Sequence, residues 1–128
     1  MLMNELERFA WQLRIDVIEM LYRAGSGHPG GSLSTAEIFS ALFKGGVINY
    51  PQEKFESYER DSFVLSKGHG CPTLYATLAS MGFFPIEATY NLRKMCGDKY
   101  RLQGHPSTAT RGIEIATGSL GQGLSVAV

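Results

Sequence analysis

Leu6, Phe9, Leu13, Val17 and Leu21 recur at three- and four-residue steps through residues 5 to 23, while Glu7, Arg8, Gln12, Arg14, Asp16 and Glu19 occupy the rest of the turn. That period places the apolar side chains on one face of an amphipathic helix, and Ala24-Gly25 predicts its end. The pattern then breaks into a glycine-rich loop that reaches Ser34. Ser34-Thr35-Ala36-Glu37 has the form of a capping box and predicts a second helix through Phe43, which Gly45-Gly46 stops. Beyond Pro51, DSFVLS at 61–66 is short, apolar and β-rich, bounded by Asp61 and KGHG, and predicts one buried strand. Pro72 sits near the first turn of an apolar helix to Met81, and Pro85 near the start of another to about Lys94. A polar stretch covers 95–112. GIEIATG is a candidate brief strand, and GSLGQGLSVAV reads as a glycine turn opening into a helix. Strands alternating with helices predict an α/β layer fold on a parallel sheet. With one firm strand, that sheet is incomplete in this chain.

Composition narrows the function. At 128 residues and 44% apolar, the chain supports one core, hence one domain or part of one. Lysine plus arginine and aspartate plus glutamate both number 12, so no net field recruits nucleic acid or an anionic membrane. The N-terminus carries Glu5 and Glu7 where a leader needs a basic start and an apolar run, and no segment approaches the ~20 apolar residues of a span. Cys71 and Cys96 form no CxxC pair, and no N-x-S/T sequon occurs. These features predict a cytoplasmic chain.

The candidate chemistry lies in the histidines. All three follow a glycine, as Gly27-His28, Gly68-His69 and Gly104-His105. Glycine serves where the backbone takes positive φ or is closely approached. His69 follows the predicted strand, and ligands of alternating α/β folds collect at loops leaving strand carboxyl ends. Neutral imidazole offers one donor and one acceptor and changes state near neutral pH, which suits hydroxyls, phosphates and proton transfer. Intervals of 41 and 36 residues rank a zinc site low, because tight sites pair ligands at short spacing. Neither Cys71 nor Cys96 stands in a nucleophile context. GSLGQG at 118–123 matches neither the dinucleotide fingerprint nor the P-loop. It is either a helix-capping turn or a place where Gly118 opens the backbone to a flat heterocycle with Leu120 as an apolar wedge, and spacing leaves both open.

Four ordered stretches, GSGHPGGSLSTAEIFSALF, DSFVLSKGHGCPTLYATLASMGFF, LQGHP and IATGSLGQGLSVAV, together resemble the N-terminal part of transketolases, thiamine-diphosphate enzymes. The form most similar is the separate N-terminal subunit of split transketolases. The resemblance implies residues 1–128 as the N-terminal part of the diphosphate-binding domain, ending before the metal-binding motif. It implies transfer of a two-carbon glycolaldehyde unit from a ketose phosphate to an aldose phosphate, in carbohydrate metabolism and the pentose phosphate pathway. By the same resemblance His28 contacts donor hydroxyls, His69 holds cofactor phosphate and faces the reacting centre, and His105 lies near the aminopyrimidine and the substrate C1 hydroxyl. Gly118, Ser119 and Leu120 contact the cofactor pyrimidine. Ser119 stands where many members have proline, and Lys67 where they have asparagine. The family's Gly-Asp-Gly metal motif falls after GxLGQG, so Gly97-Asp98, followed by Lys99, is no substitute. Mg²⁺ or Ca²⁺ is therefore expected on residues outside this chain, along with a C-terminal subunit or the remaining domains, in a homo- or hetero-oligomer. The alternatives are another thiamine-diphosphate enzyme, such as a deoxyxylulose-phosphate synthase, and an inactive interaction or regulatory remnant.

Overall fold

Helix α1, Leu2–Ala24, forms as its period predicts and buries Ala10, Leu13, Val17, Met20 and Leu21. Gly25 closes it with φ +65°, its N–H donating to the Leu21 carbonyl at 3.0 Å, a left-handed cap that glycine takes without strain. The computed structural model describes residues 2–94 and 99–128, with side chains from Glu5 onward; Cys96, Gly97 and Asp98 lie outside them.

The segment expected to be loop up to Ser34 holds a helical turn, α2, Pro29–Leu33. Pro29 in its first turn, where the missing N–H costs nothing, outweighs the two glycines that follow. The expected capping box does not form. Thr35, not Ser34, precedes α3 (Ala36–Phe39), while the Ser34 hydroxyl turns back to the Gly31 carbonyl and the Glu37 carboxylate pairs with Arg14 of α1. Helix α3 widens into a π turn, Ser40–Lys44, closed by Gly45 N–H on the Ser40 carbonyl at 2.9 Å. The Ser40 hydroxyl donates to the Leu6 carbonyl at 2.7 Å and ties this end to α1.

Helix α4, Cys71–Ser80, is the centre of the molecule. Every residue from Cys71 to Leu78 is buried, as an all-round apolar helix requires. Against it lie α1, α3 and a 3₁₀ stretch, Ile86–Asn91. That stretch replaces the longer helix expected from Pro85 to Lys94. The Thr89 hydroxyl takes the Ile86 carbonyl at 2.6 Å and tightens the turn, and Arg93 leaves the helical path with φ +64° and its N–H on the Leu102 carbonyl. An aromatic cluster of Phe39, Phe43, Tyr50, Phe55, Phe63 and Phe83, with ring centroids 5.1 to 6.0 Å apart, fills the space below. The last element is α5, Gln122–Ala127, entered through Gly121 at φ +87°. Trp11, Ile15, Ile18 and Tyr22 form a second apolar stripe on α1 that stays exposed.

Neither expected strand is paired, and no strand occurs among the described residues. Residues 61–65 have no regular secondary structure; Phe63, Val64 and Leu65 are half-buried, with Phe63 on Phe39 and Phe43. A ladder would engage the Phe63 N–H and the Leu65 carbonyl. Both groups are already taken by side chains, the first by Glu114 and the second by Thr117. The helical layer of the expected α/β class is present, and among the described residues the parallel sheet is not.

Candidate functional site

One buried helix arranges all three histidine loops. His69 lies in the 3₁₀ turn Gly68–Gly70 that leads directly into α4. From the first turn of α4, the Thr73 hydroxyl donates to the Ser32 carbonyl at 2.7 Å and fixes α2, whose start carries His28. From the next turn, the Tyr75 hydroxyl reaches the Gln103 carbonyl at 2.8 Å and the His105 carbonyl at 3.2 Å, while Cys71 Sγ lies 3.2 Å from the Gly104 carbonyl. Polar groups inside an apolar helix are costly unless paired. Here each pairs with a loop backbone and holds it in place.

The imidazoles of His28 and His69 meet edge to face, with ring centroids 5.9 Å apart. Gly31 lies against His69, since a Cβ there would stand 2.9 Å from its Cδ2. Gly68 lies against the other end of the chain, where a Cβ would meet the Thr117 carbonyl oxygen at 2.9 Å and Gly118 Cα at 3.0 Å. Gly118 in turn faces His105, with 3.5 Å from its Cβ direction to the ring Cδ2. Contacts thus run from His28 to His69, from Gly68 to Gly118 and from Gly118 to His105, and the glycines stand where the segments approach most closely. Ser119 and Leu120 follow, both exposed, Leu120 by 67%. A cavity of about 180 Å³ opens between Thr117, Gly118, Ser119, Gln122 and Val126. Complete ligand pockets run to about 300–1,000 Å³, so this cavity is smaller than a complete pocket.

Two further side chains tie these loops together. Lys67 Nζ donates to the Gly31 carbonyl at 2.7 Å and to the Ser34 hydroxyl at 3.1 Å, clasping α2 beside His69. Arg93 crosses over Gly104 and donates to the Ser26 hydroxyl at 2.9 Å, joining the His105 and His28 loops. The flanks of the opening therefore carry two cations. Cys71 is inert as a nucleophile, because burial pushes its thiol up to about 12. Among the described residues, no three histidine, cysteine, aspartate or glutamate side chains gather as a metal ion requires, and no helix is long and apolar enough to cross a membrane.

Comparison with known proteins accounts for this arrangement. Residues 6–128 match the family model described as transketolase, thiamine diphosphate binding domain. The chain is 42% identical to a transketolase of Homo sapiens over 98% of its own length and 19% of that protein. It is 39% identical over its whole length to one of the subunits of an apulose-4-phosphate transketolase from Phocaeicola vulgatus, and it spans 44% of that polypeptide. A transketolase from Leishmania mexicana superposes on 94% of the chain, and on 18% of its own, with a TM-score of 0.82 at 32% identity. The chain thus spans less than half the length of these relatives, and their identity favours transketolase over the synthase alternative. By the family model and these relatives, this chain belongs to the transketolase family, within its thiamine diphosphate binding domain.

Proposed function

We propose that residues 1–128 form the N-terminal part of the diphosphate-binding domain of a transketolase, which in the assembled enzyme moves a two-carbon glycolaldehyde unit from a ketose phosphate to an aldose phosphate. The observation that carries this reading is the chain of contacts that brings His28 to His69, Gly68 to Gly118 and Gly118 to His105. The residues suit the cofactor: imidazoles for phosphate and hydroxyl groups, an exposed backbone at Gly118 and Ser119 for a flat ring, and Leu120 as an apolar face. When bound, thiamine diphosphate supplies the carbanion and the electron sink, leaving the protein to bind, orient and manage protons.

In this reading His69 holds the cofactor phosphate and faces the reacting centre, supported from behind by Gly31 and Lys67. His28 orients donor hydroxyls. His105, held through its backbone by Tyr75, moves a proton at the substrate C1 hydroxyl beside the aminopyrimidine. Gly118, Ser119 and Leu120 seat the pyrimidine. A divalent cation, Mg²⁺ or Ca²⁺, falls to residues outside this chain, and a C-terminal subunit or further domains complete the site in an oligomer. Carbohydrate metabolism through the pentose phosphate pathway and a cytoplasmic location follow from the same reading.

The test uses the reconstituted holoenzyme. Replacing His28 or His105 by Ala lowers kcat/KM for the ketose donor by roughly tenfold to a hundredfold, the worth of one lost polar contact, with little change in cofactor affinity. His69→Ala instead raises the cofactor concentration needed for half activity. The reverse pattern would show the roles exchanged, and unchanged kinetics in all three variants would remove the reading.

A further inference from the structure

The segments that carry His69 and Gly118 run side by side in the same direction, yet among the described residues no backbone hydrogen bond joins 61–66 to 113–118. Extended segments without a ladder have no fixed register, and a slip of one residue turns every side chain to the opposite face. Side-chain links take the place of the ladder. Glu114 Oε1 accepts the Phe63 N–H at 2.8 Å. Thr117 Oγ1 donates to the Leu65 carbonyl at 2.6 Å. Three residues further on, Gly68 closes against Thr117 and Gly118.

Glu114 is the most constrained of these links. The same Oε1 also accepts the Tyr50 hydroxyl and Arg60 Nη1, each at 2.9 Å, so one oxygen is fixed from three segments. Arg60 is itself held by the Phe55 and Asp61 carbonyls, both at 2.8 Å, and lies over the Phe55 ring. The pair is only 10% and 17% exposed, which removes it from the weak surface class. We propose that Glu114 is a positioning residue: by clamping the Phe63 amide it sets the register in which Gly68-His69 meets Thr117-Gly118, and with it the placement of His69 relative to Gly118 and His105. Burial alone would lift the Glu114 carboxyl; the Phe63 amide, Arg60, Tyr50 and Ser62 outweigh it and hold the group below the usual range, so the clamp is ionised at neutral pH.

The role rests on the cofactor reading of His69 and Gly118. A carboxylate that only adds stability would shift the melting temperature and leave ligand affinity alone, whereas a register clamp moves both. In the holoenzyme, well below its melting temperature, the readouts are calorimetric Kd for thiamine diphosphate with Mg²⁺ and amide hydrogen exchange across residues 61–66. Glu114→Ala weakens the cofactor by about tenfold or more and speeds exchange at 61–66. Glu114→Gln keeps an oxygen for the Phe63 amide, so it lowers the melting temperature yet leaves Kd within about threefold of wild type. A folded Glu114→Ala with wild-type Kd, or a Glu114→Gln as impaired as Ala, overturns the proposal. Should Glu114→Ala fail to fold, Thr117→Val removes the Leu65 link at a residue that also lines the Gly118 cavity, so exchange at 61–66 is read beside Kd and unchanged exchange overturns the clamp. With faster exchange, a Kd weakened by about threefold or more supports the clamp and an unchanged one overturns it. A wild-type enzyme that binds no cofactor would sink the cofactor reading, while exchange at 61–66 in the variants still judges the clamp.

Discussion

A methyl group on Gly31 would stand 2.9 Å from Cδ2 and 3.1 Å from Nε2 of His69, closer than side-chain carbons come to one another. The imidazole must turn to make room, and the turn takes it away from the opening it shares with His28. Gly31→Ala is therefore expected to weaken cofactor affinity in the holoenzyme by about tenfold, since a displacement near 1 Å at a catalytic group has effects of up to about a hundredfold. Stability should fall little, because Gly31 lies inside a helical turn where alanine is the better former. Titration calorimetry beside a thermal melt separates the two, and an unchanged affinity would place His69 away from the ligand. At this scale the sequence is legible where glycine and histidine are adjacent, because both residue types are scarce enough to be noticed. Lys67 is legible only through its place in KGHG, and Tyr75, Arg93 and Glu114 are not legible. Their partners lie 28 to 67 positions away, and nothing local distinguishes these three from ordinary surface or core residues.

Among the elements, α4 does the most, and its two polar anchors differ in what their loss costs. The Ser32 carbonyl receives both Thr73 and the Thr35 hydroxyl, the latter at 2.8 Å, so Thr73→Val leaves it satisfied. Tyr75→Phe leaves the Gln103 carbonyl with only Cys71 Sγ at 3.6 Å, too long for a strong partner. Expected losses in urea unfolding are below about 1 kcal/mol for Thr73→Val and about 1–3 kcal/mol for Tyr75→Phe. Equal losses would show that Tyr75 is held by packing alone. Helices α1 and α4 are readable in advance because each joins a clear pattern to a stop or start signal, Gly25 in one and Pro72 in the other. α2 is hidden by Gly30 and Gly31, although Pro29 is its start signal. The capping box at Ser34 fails for a tertiary reason, since Arg14 of α1 captures Glu37. DSFVLS is legible as the segment that half-buries Phe63, Val64 and Leu65 but not as a paired strand, because the side chains that occupy its ladder groups come from residues 114 and 117.

For the whole molecule, two consequences follow from what is buried and what is left open. Cys71 titrates at 9.0 in an unfolded chain and at about 12 when folded, because burial disfavours the thiolate. Between these values the folded state holds the extra proton, so rising pH favours unfolding. Tyr50 and Tyr75, also raised above 10.0 by burial, add to the loss further up. Stability measured by urea should thus decline from pH 9, with Cys71 accounting for about 1 kcal/mol by pH 10. Cys71→Ala should flatten the curve between pH 8 and 10 whatever it does to stability at neutrality; an unflattened curve would mean the thiol ionises freely. The open side of the molecule makes the stronger demand. His28, His105, Gly118 and Ser119 are exposed, and the cavity beside Gly118 is about 180 Å³. A diphosphate on that face stays in water, where one charge pair at 4 Å is worth only about 1 kcal/mol. Leu120, Leu124 and Val126 are exposed around the opening, and Trp11, Ile15, Ile18 and Tyr22 form a second uncovered stripe on α1. Apolar patches of this kind mark surfaces that are covered in an assembly. The 128-residue chain alone is accordingly expected to self-associate, to bind thiamine diphosphate with Mg²⁺ no more tightly than millimolar, and to cleave no ketose donor. Calorimetric titration and a donor-cleavage assay on the purified chain decide it, and micromolar binding or measurable turnover would show that this wall alone is a complete site.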